Sequence, residues 1–170
     1  MACDNIIFIG MPAVGKSTVG VVIAKRLGYK FVDTDILIQE SEGKLLKDII
    51  ADVGPDGFLK VEDRVNAQVE AEHTVISPGG SVVYCENAMK HLKETGTVVY
   101  LKLSLDSLRK RLGNLKGRGV LLKDGQSLTD LYEERVPLYE KYADIVVDEE
   151  GKNLEESLDA VLEILKKKAK

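Results

Sequence analysis

The chain has 170 residues, 44% of them hydrophobic, which is enough to fill one core and gives no reason to expect a second domain. Its 24 Lys and Arg and 28 Asp and Glu are interspersed and leave a net charge of -4, so there is no global basic field of the kind that holds nucleic acid. Cys3, Cys85, His73 and His91 form no metal or redox spacing, and neither a charged apolar leader nor an apolar run near the roughly 18 residues of a membrane span is present, so the expectation is a cytoplasmic monomer with a small-molecule partner, no nucleic acid and no membrane.

Ile6-Ile7-Phe8-Ile9 is too short for a helix and rich in β-branched residues, so it reads as a buried strand. It runs into Gly10-Met11-Pro12-Ala13-Val14-Gly15-Lys16-Ser17-Thr18, after which Val19, Val22, Ile23 and Leu27 share one helical face. Strand, glycine loop and helix make the context of a phosphate-binding loop. Gly10 and Gly15 let the backbone turn so that successive N–H groups and the positive end of the helix converge on one anion. Lys16 then neutralises the outer phosphates of a nucleotide, and the Ser17 hydroxyl ligates the Mg²⁺ that bridges them. A nucleoside triphosphate or diphosphate is the expected ligand.

Gly28 is a candidate C-cap, and residues 29–32 read as a second strand that ends in Asp33-Thr34-Asp35. Open α/β sheets bind ligands at the C-terminal ends of their strands. An N-cap accounts for one of these acids. The pair points to one acid in the Mg²⁺ shell near Ser17 and the other facing an acceptor hydroxyl. Residues of about 36–71 read as helix in pieces, interrupted at Gly43 and by a turn at Gly54-Pro55-Asp56-Gly57. This insertion walls a substrate cleft or simply packs the core; periodicity does not choose.

Residues 74–77 read as a third strand, followed by Pro78-Gly79-Gly80-Ser81, either a tight turn or a place where a ligand approaches the backbone. A helix over 86–95 leads through Gly96 into a strand at 98–101, and the alternation of strands with helices predicts a three-layer, parallel α/β sheet. The helix at about 105–112 carries Arg109, Lys110 and Arg111. The glycine-bearing stretch of about 113–125, with Lys116, Arg118 and Lys123, reads as a basic lid that closes over phosphates and excludes water. The helix at about 128–142 holds Arg135 and Pro137, and a proline there is expected to bend or interrupt it and aim Arg135 sideways. A strand at 145–147 and a helix from about 154 complete the chain, the helix with Glu155 and Glu156 at its start and Lys166 to Lys168 at its end, matching its dipole.

Taken in order, Gly15-Lys16-Ser17-Thr18, Phe31-Val32-Asp33-Thr34-Asp35, Gly79-Gly80, Arg118 and Arg135-Val136-Pro137-Leu138-Tyr139-Glu140 with Ala143-Asp144-Ile145-Val146 resemble the shikimate kinases over nearly the whole length. The resemblance implies a P-loop, nucleoside-monophosphate-kinase-like α/β fold with a five-stranded parallel sheet. It also implies transfer of the γ-phosphate of ATP, with Mg²⁺, to the 3-hydroxyl of shikimate, a step toward the aromatic amino acids. On the same resemblance, Asp33 belongs to the magnesium shell, Asp35 binds the shikimate hydroxyls and Gly79 and Gly80 lie against the substrate. Arg135 grips its carboxylate, Arg118 reaches the phosphates from the lid, and Arg111 packs on the adenine. Lys16, Asp35 and Arg118 would carry the catalysis.

Three positions depart from the family pattern. Leu59 stands where the pattern has an arginine that clamps the substrate carboxylate, Ser81 where it has a glycine, and Gly119 where it has a proline. Loss of one charge-assisted bond costs about 1.5–3 kcal/mol. Lys60 and Arg64 are the nearby cations that could take its place. Leu59 keeps open a kinase of another small hydroxylated metabolite, and a nucleotide-binding regulator without catalysis is the alternative of another class.

Overall fold

The computed structural model of the chain describes residues 4–112 and 120–168. Five parallel strands form one sheet in the order β2-β3-β1-β4-β5. They are β1 (Asn5–Ile9), β2 (Lys30–Asp33), β3 (Thr74–Ser77), β4 (Gly96–Lys102) and β5 (Ile145–Asp148). Between and after them come α1 (Lys16–Leu27), α2 (Thr34–Glu42), α3 (Leu46–Ala67), α4 (Glu86–Thr95), α5 (Leu105–Arg111), α6 (Leu128–Tyr142) and α7 (Leu154–Lys168). A short 3-10 turn, Gly80–Tyr84, follows β3 after Pro78 and Gly79.

Every residue of β1 and β3 is buried, as expected for parallel strands covered by helices on both faces. Ile7, Phe8, Val75, Val98 and Leu101 of the sheet pack with Ile23 of α1 and Met89 and Leu92 of α4 in the main core. A smaller cluster joins Ile38 of α2, Ile49 and Phe58 of α3, and Leu121. The central strand β1 pairs with β3 on one side and β4 on the other, so the order reverses there and opens a crevice beyond the strand ends. The loop after β1, the junction of β2 with α2 and the segment after β3 line one cavity there.

Three local expectations change. The turn expected at Gly54-Pro55-Asp56-Gly57 shrinks to one residue: Gly54 leaves helical geometry at φ 72° and ψ 175°, and α3 resumes at Pro55. Proline disfavours helical geometry in the residue before it, yet suits the first position of a new helical segment. Gly96 lies inside β4, paired with Asn5, where a Cβ would collide with the Asn5 carbonyl. α6 runs through Pro137 without interruption. Among the described residues, no helix is long and apolar enough to cross a membrane.

Candidate active site

The loop between β1 and α1 takes a backbone that side chains resist. Gly10 has φ 152°, Gly15 φ 103° and Ala13 φ 66°. A Cβ on Gly10 would also lie 2.7 Å from the Leu101 carbonyl oxygen, so glycine is required there twice over. Ala13 carries left-handed geometry with a Cβ, which only a well-determined loop sustains. Gly15 caps α1 without any side-chain bond, and the first turn of α1 holds no acid, so the positive helix end faces the loop without a protein anion. Met11 and Val14 turn away into the core, while Pro12, Ala13, Gly15, Lys16, Ser17 and Thr18 line a cavity of about 300 Å³.

Lys16 is buried, and its ammonium donates to the Gly10 and Met11 carbonyls at 2.9 and 3.0 Å. Burial pulls its pKa down to about 8, against the pull of Asp35 and Asp33 in the other direction. A phosphate arriving in the loop supplies the counter-charge that this ammonium lacks.

Asp33 divides its two oxygens between two tasks. Oδ1 accepts the Asp35 N–H at 3.0 Å and caps α2, while Oδ2 accepts the Ser17 hydroxyl at 3.1 Å. Ser77, at the end of β3, places its Oγ 3.3 Å from that of Ser17. This set of hard oxygens suits Mg²⁺. Among the described residues, no group of three His, Cys, Asp or Glu could hold a metal ion. The N-cap and metal readings of the Asp33–Asp35 pair are therefore compatible in one residue.

Asp35 is the second acid, and it faces the cavity beside Gly79. Burial, helped by the like charge of Asp33, raises its pKa to about 6, with Lys16 opposing. Gly79 is extended, at φ −61° and ψ 157°, and Gly80 opens the 3-10 turn. A Cβ on Gly80 would sit 3.0 Å from Arg135 Nη1 and 3.2 Å from the Gly10 carbonyl oxygen. The double glycine is thus a close approach of loop, acid and guanidinium as well as a turn.

Arg135 is 1% exposed, the largest fully buried side chain among the described residues. Its direction comes from the face it shares with Leu128, Leu131 and Tyr139, buried at helical spacing along α6, and not from an interruption at Pro137. Nη2 donates to the Leu121 carbonyl at 3.1 Å, the guanidinium lies 5.4 Å from the centre of the Tyr84 ring, and Nε is left without a partner. An anion entering the cavity meets a cation that is desolvated and incompletely bonded.

The sequence reading missed Glu62. This acid of α3 is fully buried, accepts the Ser81 hydroxyl on Oε2 at 2.5 Å, and has no partner for Oε1. Burial raises its pKa to about 8, although the Ser81 bond works the other way. Its one sequence signal is spacing: Glu62 follows Phe58 by four residues and precedes Asn66 by four, on the buried side of α3.

Of the other expected residues, one touches the loop and one lies outside the described residues. Arg111 is exposed and donates to the Val14 carbonyl of the phosphate-binding loop at 3.1 Å. Arg118, like all of 113–119, lies outside the described residues. Leu59 does not border the main cavity; it lines a neighbouring one of about 60 Å³ together with Arg135, Tyr84 and Leu121. Lys60 is exposed, and Arg64 is engaged with Glu42 of α2, so neither borders the cleft.

The family model for shikimate kinase matches residues 12–166. A shikimate kinase of Clostridium botulinum (strain Loch Maree / Type A3) is 39% identical over 168 residues, covering 96% of this chain and 97% of its own length. A shikimate kinase of Acinetobacter baumannii, solved in complex with shikimate, superposes with a TM-score of 0.84 at 29% identity, over 96% of this chain and 92% of that one. The Aquifex aeolicus shikimate kinase gives 0.81 at 33% identity, over 97% and 98%.

Proposed function

Because the chain belongs to the shikimate kinase family, and is therefore a P-loop kinase that phosphorylates shikimate, we propose that the cavity beyond β1 and β3 binds ATP with Mg²⁺ beside shikimate, with the following division of labour. Family membership also displaces the regulator without catalysis and the kinase of another metabolite. The loop of residues 10–18 cradles the phosphates, through backbone N–H groups everywhere but at Pro12, and Lys16 neutralises the β- and γ-phosphates. Ser17 and Asp33 would hold Mg²⁺, which supplies charge neutralisation across the phosphates when bound. Arg111 packs toward the nucleotide base, and Arg118 reaches the phosphates from a lid of about 113–125.

On the acceptor side, the α2–α3 region of about 36–71 forms the wall. Arg135 grips the shikimate carboxylate with a charge-assisted fork, Gly79 and Gly80 allow the ring to approach the backbone, and Asp35 accepts hydrogen bonds from the hydroxyls. The 3-hydroxyl oxygen attacks the γ-phosphorus, the bond from γ-phosphorus to the bridging oxygen breaks, and ADP leaves with that electron pair. The hydroxyl proton passes to Asp35, whose raised pKa suits it to take one. The protein works as a monomer in the cytoplasm.

What carries this reading is the convergence of Lys16, Asp35 and Arg135 on one cavity, a phosphate cation, a hydroxyl acceptor and a carboxylate clamp within reach of a single small acid. The test is ADP release from Mg-ATP with and without shikimate. Shikimate-dependent turnover that Asp35→Asn reduces by about a hundredfold or more, with nucleotide binding retained, is the expected result. Turnover unaffected by Asp35→Asn would remove Asp35 from the chemistry.

A further inference from the structure

The segment 79–81 is fastened from two sides by groups that phosphoryl transfer does not itself use. From α3, Glu62 takes the Ser81 hydroxyl. From α6, the Tyr139 hydroxyl donates to the Gly80 carbonyl at 2.6 Å. Tyr139 is fully buried, and its ring stacks on Tyr100 of β4 with centroids 5.1 Å apart and planes 25° from parallel. Packing of the ring therefore holds the residue without help from the hydroxyl. Burial pushes the phenol up to about 12, so it remains a donor at any working pH.

Tyr139 lies one helical turn after Arg135, on the same face of α6. Arg135 Nη1 approaches Gly80 to within 3.0 Å of where its Cβ would be. One face of one helix thus provides both the carboxylate clamp and the bond that orients the peptide beside it. A peptide plane fixed through its carbonyl oxygen cannot rotate without breaking that bond, and a misplacement of about 1 Å in such a site is expensive for catalysis. With the Gly80–Ser81 peptide free to turn, Arg135 and Asp35 would lose their common register on the acceptor.

We propose that Tyr139 is a positioning residue for the acceptor, setting the Gly80–Ser81 peptide against Arg135 through its hydroxyl. This deepens the acceptor-site reading above and rests on it. It differs from a role in packing because the ring, and not the hydroxyl, fills the core.

Tyr139→Phe keeps the ring and deletes the hydroxyl, so it separates the two roles. Steady-state kinetics should show the KM for shikimate raised about 5- to 20-fold, the loss of one hydrogen bond's worth of affinity, while the KM for ATP stays within about twofold. Calorimetric titration with shikimate, independent of turnover, should show the same loss of affinity. An unchanged shikimate KM and affinity, or equal rises for shikimate and ATP accompanied by a lower melting temperature, would overturn the proposal and leave Tyr139 a packing residue. A wild-type protein inert toward shikimate would instead defeat the acceptor reading on which the proposal rests, and that outcome is visible before any variant is made.

Discussion

Asp35 and Glu62 direct carboxylate oxygens at the same side of one glycine: a Cβ on Gly79 would lie 2.9 Å from Asp35 Oδ1 and 3.1 Å from Glu62 Oε1. Gly79 has a φ of −61°, open to any residue, so Gly79→Ala adds contact without backbone strain. Glu62 is fully buried and tied to Ser81, which leaves Asp35 to give way. The expected result is a shikimate KM raised about tenfold or more, the equivalent of about 1.4 kcal/mol, with the ATP KM little changed. An alanine variant with the wild-type shikimate KM would mean that Asp35 does not hold the acceptor.

Glu62 also predicts how stability varies with pH. Asp35, Lys16, Arg135 and Ser81 face it, no cation among the described residues is within hydrogen-bonding distance, and burial lifts it from 4.5 to about 8. The folded protein therefore holds this proton more tightly than the unfolded chain. Between the two values the unfolded state binds fewer protons, so stability falls as pH rises, by up to about 1.4 kcal/mol per pH unit for one such group. Thermal melts of the ligand-free protein are expected to drop from about pH 5 to about pH 8, and Glu62→Gln should flatten that slope. A Gln variant with the same slope would assign it to other groups.

Much of the architecture was legible because apolar runs and helix signals are local. Thr74–Ser77, Glu86–Thr95 and Leu128–Tyr142 have the bounds that their residue patterns suggest. Gly96 was not legible, since its need for a missing Cβ arises from Asn5, far away in sequence. Pro137 does not interrupt α6, because the helix packs through it and packing overrides a lost hydrogen bond. In the site, Lys16, Ser17, Asp33, Asp35 and Arg135 stand out as charged or polar residues in a recognisable frame. Glu62 and Tyr139 do not, because an acid on a helix is ordinarily solvated and a tyrosine on an apolar face is ordinarily core. What makes them part of the site is a partner on another element, Ser81 and the Gly80 carbonyl.

The two oxygens of Asp33 can be tested separately. Asp33→Asn keeps a good N-cap for α2 but removes the charge, whereas Asp33→Ala removes both. Binding of Mg-ADP measured by calorimetry should weaken in both, and should show a higher Mg²⁺ requirement. The melting temperature should hold for Asn and fall for Ala, by the equivalent of about 1 kcal/mol. Ser17→Ala should raise the Mg²⁺ requirement without altering the cap. Wild-type Mg²⁺ dependence in Asp33→Asn would remove Asp33 from the metal shell.

Leu59 puts a hydrocarbon beside Arg135, at the position where the sequence leads us to expect a second guanidinium, and among the described residues neither Lys60 nor Arg64 borders the main cavity to replace it. Lys60 is exposed and Arg64 is paired with Glu42. Leu59 itself is half-buried against both apolar clusters and shares a cavity of about 60 Å³ with Arg135, Tyr84 and Leu121. An arginine there enters a tight space next to a like charge, so Leu59→Arg should lower the melting temperature of the ligand-free protein. Shikimate brings the missing anion, and one added charge-assisted bond of about 1.5–3 kcal/mol would lower its KM by roughly tenfold or more. Saturating shikimate should accordingly raise the melting temperature more in the variant than in the wild type, since a ligand stabilises in proportion to its affinity for the folded state. If the KM rises and that thermal shift shrinks, the leucine is there for packing, and Arg135, gripped between Tyr84 and the Leu121 carbonyl, holds the carboxylate without a second arginine.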